Sequence, residues 1–188
     1  KMFAAWSDLK SRKQVEATRL ETLMAGLGFV VQRLLVSERQ PGRELWALDS
    51  ASLEDRSLCP IPQFGSSAKG RYRLVCVWER PTEDDILQVV GESTLQRATI
   101  VLYFGRMTDR KWRDTSRLAK ASRKSFLLID EVMLVYLCAQ AGSRLSALFD
   151  LALPFSYSTP YDATAGLVPP EMFYGRQSTV AGVQENLS

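Results

Sequence analysis

The sequence predicts an α/β domain, a mixed β-sheet of about five strands flanked by helices. Three observations carry that prediction. Two strand-like runs, 29–36 (FVVQRLLV) and 44–48 (ELWAL), sit on either side of a Pro41-Gly42 turn, so the sheet starts antiparallel. Three later runs, 71–78, 98–104 and 125–129, carry continuously apolar stretches, as strands covered on both faces do. Helical segments alternate with these later runs, and that alternation implies parallel crossovers.

The elements follow in order. Within 13–27, Leu20, Leu23, Met24 and Leu27 recur at the spacing of one helical face, and Gly28 supplies a C-terminal stop. The strands 29–36 and 44–48 come next. Residues 49–70 hold Pro60, Pro62, Gly65 and Gly70 and read as a long loop, a candidate functional surface. The third strand, 71–78 (RYRLVCVW), is placed centrally by the apolar stretch 74–78. Pro81 and Thr82 open a short helix with Glu83, Asp84 and Asp85 in its first turn, where acids suit the helix dipole. Strand 98–104 (ATIVLYF) leads to a helix capped by Thr108 that runs to about residue 122. Strand 125–129 (SFLLI), an apolar helix over 131–141 and a shorter helix over 144–151 complete the pattern. The domain is therefore assigned to 1–155. Pro160, Gly166, Pro169 and Pro170 mark 156–188 as a linker.

Composition narrows the chemistry. With 188 residues and 46% hydrophobic content the chain is long and apolar enough to bury its own core, and disorder is excluded. There is no histidine, which removes Ser-His-Asp and Cys-His catalysis and His-ligated metal sites. Carboxylate, lysine or cysteine chemistry remains, or no chemistry. Cys59, Cys76 and Cys138 lack CxxC spacing, and the last two sit in apolar runs as small hydrophobes, which fits a reducing cytoplasm. No run reaches the roughly 18 apolar residues of a membrane span, and no signal-peptide pattern opens the chain.

Two constellations have plain structural readings. Residues 126–131 (FLLIDE) match the Walker B pattern of P-loop ATPases, but no GxxxxGK[ST] lies upstream, and 65–70 (GSSAKG) has the wrong spacing. Asp130 and Glu131 are read instead as the start of a helix. The positions Arg110, Lys111, Arg113, Arg117, Lys120, Arg123 and Lys124 form a basic helix. It is a solvated crossover face and a candidate partner or nucleic-acid surface.

The helix-strand-strand-strand-helix-strand opening, entered through Leu27-Gly28-Phe29, resembles the restriction-endonuclease-like fold. That resemblance implies an aspartate on the second strand and Glu-x-Lys on the third, holding magnesium for water attack. Here Cys76 and Trp78 stand where the acid and the lysine would fall, so the resemblance implies a degenerate site. The competing enzyme reading is a metal-dependent nuclease with a rearranged site built from Asp49, Glu79 and Lys69.

The most specific stretch is 167–176 (LVPPEMFYGR), which resembles the opening box, Met-Phe-x-Gly-Arg, of bacterial STAND-type P-loop ATPases. The segment 100–161 also looks like the part that precedes the ATPase module in large bacterial proteins of this type, often linked to defence against phage. The resemblance implies that Phe173, Tyr174, Gly175 and Arg176 contact the adenine side of a nucleotide, through stacking and polar contacts. It also implies a non-catalytic sensor, adaptor or regulatory domain whose partner is a protein or its own ATPase module. No cofactor is expected within the chain itself, with ATP and magnesium belonging to a following module. Lys1 before Met2, and an end at Ser188 ahead of any phosphate loop, lead us to expect a portion of a longer protein.

Overall fold

The computed structural model of the chain describes residues 1–50, 70–79, 82, 97–108, 110, 111, 113–115, 117, 126–140, 144, 145, 147 and 148. Along them run α1 (Met2–Arg12), α2 (Ala17–Gly26), β1 (Val31–Gln40), β2 (Arg43–Ser50), β3 (Arg71–Val77), β4 (Ala98–Tyr103), β5 (Phe126–Ile129) and α3 (Glu131–Ala139). The strands stand side by side in chain order, β1 to β5. β1, β2 and β3 pair antiparallel, and β3, β4 and β5 pair parallel. This is the mixed α/β sheet that the sequence predicts.

The amino-terminal helix differs from the reading. The helix predicted over 13–27 forms as α2, four residues later at its start, and a further helix, α1, precedes it and ends where Lys13 adopts a left-handed conformation at φ 51°. α1 buries Met2, Ala5, Trp6 and Leu9, the same one-face spacing that marks α2, with Ala5 too small to stand out in sequence. α2 ends in a Schellman motif: the Phe29 N–H donates to Met24 O at 3.1 Å and the Gly28 N–H to Ala25 O at 3.0 Å. Gly28 takes the left-handed position at φ 102°.

Pairing, rather than hydrophobicity, sets the strand ends. β1 runs four residues past the apolar stretch because Arg39 and Gln40 pair with Glu44 and Arg43 across the Pro41-Gly42 turn. β2 likewise takes in Asp49 and Ser50, which the sequence reading placed in the long loop. Of the predicted helix 108–122, residues 110, 111, 113–115 and 117 are helical, as are 144, 145, 147 and 148 of the predicted 144–151 helix. The predicted short helix opened by Pro81, most of the loop 49–70 and the linker 156–188 lie outside the described residues.

Both sheet faces are buried across the middle of the sheet, while β1 is largely exposed. One packs Trp46, Leu48, Leu74, Cys76, Ile100, Leu102, Leu127 and Ile129 against α1, α2 and α3. The other gathers Leu45, Val75, Val101, Tyr103, Met107, Phe126 and Leu128. Trp6 meets Phe104 at 4.6 Å between ring centroids, and Phe104 stacks on Trp78 at 5.2 Å, so an aromatic row anchors α1 to the sheet.

A Cβ at position 28 would lie 2.9 Å from Leu145 Cβ, and its φ is one that L side chains resist. Gly28→Ala is therefore expected to lower stability by about 1–3 kcal/mol in urea unfolding, against an unchanged midpoint if the left-handed cap did not matter.

Candidate functional site

The third strand is where a restriction-endonuclease-like site would sit, and core packing fills it. Cys76 is completely buried, opposite Glu44 on β2 and Leu102 on β4. Burial pushes its thiol well above the ordinary range, and the negative charge of Glu44 adds to the effect. Such a thiol is neither a nucleophile nor a metal ligand. Trp78 follows β3, and its indole N–H donates to Leu9 O of α1 at 2.8 Å while its ring stacks on Phe104. Both residues hold the helices to the sheet.

Beside Cys76 lies a polar centre that the sequence does not announce. Glu44 is 5% exposed, and its carboxylate accepts the Val15 N–H at 3.0 Å and the Trp46 indole N–H at 3.1 Å. Arg39 closes the group from the solvent side at 3.4 Å, with its guanidinium over the Trp46 ring at 5.9 Å. Only the burial of every second residue along 44–50 hints that Glu44 faces inward.

The rearranged nuclease site does not assemble. Asp49 pairs with Arg71 at the beginning of β3, whereas Glu79 lies beyond Val77, which pairs with Arg43 at the other end of β2. Eight residues along an extended chain separate Arg71 from Glu79, roughly 26 Å. The two carboxylates cannot share a cation across that gap, and Lys69 lies outside the described residues. Asp49 also stands between Arg33 and Arg71 in the strand register and pairs with Arg97 at 3.0 Å. A carboxylate so placed already has positive neighbours, which oppose a divalent cation. Among the described residues, no three Cys, Asp or Glu side chains are grouped to hold a metal.

Asp130 caps α3, accepting the Met133 N–H and the Met107 N–H, both at 2.9 Å. Glu131 follows in the first turn and meets Lys10 of α1 at 2.9 Å. These two acids are helix-start residues, as their sequence position suggests.

The basic positions form an open surface. The Thr108 hydroxyl accepts the Lys111 N–H at 3.4 Å, the cap that the sequence predicts. Arg110 and Arg117 share one acid, Asp114, at 3.8 and 3.5 Å, with their side chains 89% and 83% exposed. Pairs in that much water contribute little to stability. Arg113 is exposed between them. Lys120, Arg123 and Lys124 lie outside the described residues, as do Phe173, Tyr174, Gly175 and Arg176.

Among the described residues no helix is long and apolar enough to cross a membrane. Comparison of the chain with protein-family models, with curated proteins and with solved structures finds no match in any of the three.

The buried thiol gives a direct check. In the native chain at about pH 8, Cys76 is expected to stay unlabelled by a maleimide or Ellman's reagent and to react fully in urea, as mapped by mass spectrometry. Rapid native labelling of Cys76 would mean that this face of β3 opens to solvent.

Proposed function

We propose that the chain is a non-catalytic sensor, adaptor or regulatory domain that works ahead of a STAND-type P-loop ATPase in a bacterial defence protein of the cytoplasm. The observation that carries this reading is the stretch 167–176 (LVPPEMFYGR), with its likeness to the Met-Phe-x-Gly-Arg opening box. The geometry of β3 supports the non-catalytic part, because Cys76 and Trp78 serve packing at the places a nuclease would give to an acid and a lysine. The separation of Asp49 from Glu79 supports it further.

In this reading the domain contributes recognition and restraint, while ATP and magnesium act in the following module. Phe173 and Tyr174 supply aromatic faces for adenine, Gly175 lets the backbone approach, and Arg176 supplies a fixed fork of donors. The surface carrying Arg110, Lys111, Arg113 and Arg117 is the partner face, since the exposed guanidiniums of Arg110, Arg113 and Arg117 suit an acidic partner.

The test is Arg176→Ala in the intact protein, with nucleotide affinity and ATPase rate measured. The reading expects nucleotide binding to weaken by roughly tenfold or more, the value of one charge-assisted contact. Unchanged affinity and rate would remove the nucleotide assignment of Arg176.

A further inference from the structure

We propose that β1 is a pairing edge for a second copy of this chain. Two copies would join antiparallel along β1, with the two-fold axis through Leu35, and merge their sheets into one. The inference stands on the sheet edge and is independent of the ATPase reading.

Among the described residues, β1 occupies the outside of the sheet order and is the longest strand at ten residues. It is exposed along nearly its whole length, with Leu35 46% and Val36 47% accessible. An outer strand presents a row of backbone donors and acceptors to any extended segment that arrives. Apolar side chains at its middle make that row adhesive rather than guarded. Charged residues stand on either side of this middle: Arg33 before it, Glu38 and Arg39 after it.

Self-complementarity selects the partner and the register. Facing residues in an antiparallel pair point to the same side of the sheet, so a two-fold pairing must set one residue opposite its own copy. With Leu35 at the axis, Leu35 faces Leu35 and Leu34 faces Val36. Arg33 then faces Ser37, and Gln32 faces Glu38. Apolar meets apolar and no like charges meet. With Val36 at the axis, Arg33 faces Arg39 and Leu34 faces Glu38. With Leu34 at the axis, Arg33 faces Leu35 and Gln32 faces Val36. Only the Leu35 register satisfies the strand. Irregularities in the β1–β2 ladder lie between Val31 and Arg33 and between Val36 and Glu38, so the regular run brackets the proposed axis. They end the new ladder after a few pairs, which makes a small interface and a reversible dimer.

The test is sedimentation velocity of the 188-residue chain from low micromolar to about 100 µM, with Leu35→Lys beside it. Dimerisation that rises with concentration is expected, weakened at least about tenfold by the lysine, or ~1.4 kcal/mol. Leu35 is half-exposed in the single chain, so a lysine there is compatible with folding. Oxidative cross-linking gives a second readout that does not depend on that variant. Leu35→Cys places two thiols within disulfide reach, while Gln40→Cys places its two copies at opposite ends of the joint. Cross-linking at Leu35, absent at Gln40 and in the parent chain, supports the proposal. A chain that stays monomeric, a dimer indifferent to Leu35→Lys, or equal cross-linking at both positions overturns it.

Discussion

The arrangement of helices on this sheet depends on one buried carboxylate. Glu44 lies under the connection between α1 and α2 and takes the Val15 N–H, a backbone donor that would otherwise be buried without a partner. The same carboxylate fixes the Trp46 indole, and Arg39 balances its charge from the rim of the sheet. A charge in this position is stable only while all its donors are present, so the helical layer, β1 and β2 are held in a single geometry. Trp78 makes the second tie, through Leu9 O, and the aromatic row with Phe104 and Trp6 fills the space between. Cys76 sits within this frame, and its chemistry is set by it.

The sheet was largely legible in the sequence and the site was not. All five strands announced themselves; β4 and β5 are buried along their whole length and β3 through its apolar stretch from Leu74 to Cys76. α1 escaped notice although Met2, Ala5, Trp6 and Leu9 have helical spacing; the exposed Phe3 lies off that face, and periodicity is weak when one of four anchors is alanine. The ends of β1 and β2 escaped for a different reason. Arg39, Gln40 and Asp49 are strand residues only through their partners across the ladder, which no local pattern records. Asp49 and Glu79 shared a sequence neighbourhood at the ends of two strands, yet antiparallel pairing sends those ends apart. Glu44 was invisible for the opposite reason: a charged residue at the start of a strand reads as solvent-facing until its hydrogen bonds are known.

The function proposed above draws its structural support from what the third strand has been given over to. A nuclease needs acid and base side chains free to face metal and water, and such groups resist burial. Here β3 holds a sealed thiol at Cys76, followed by the Trp78 indole bonded to α1, which supports the non-catalytic reading proposed above. Among the described residues, two open surfaces stand out: the outer edge of β1, with the apolar Leu35 and Val36 between charged residues, and the arginine-rich turns around Asp114.

The most direct test places a Glu-x-Lys pair on and just after β3 with Cys76→Glu/Trp78→Lys and follows thermal unfolding together with the near-ultraviolet circular dichroism. If these positions belong to the core, the variant is unfolded or melts at least about 10 °C below the parent, because an acid is buried beside Glu44 and the Leu9 tie is lost. A variant that melts within about 2 °C of the parent, with its aromatic signal intact, would show room for a charged pair on β3 and would contradict the account.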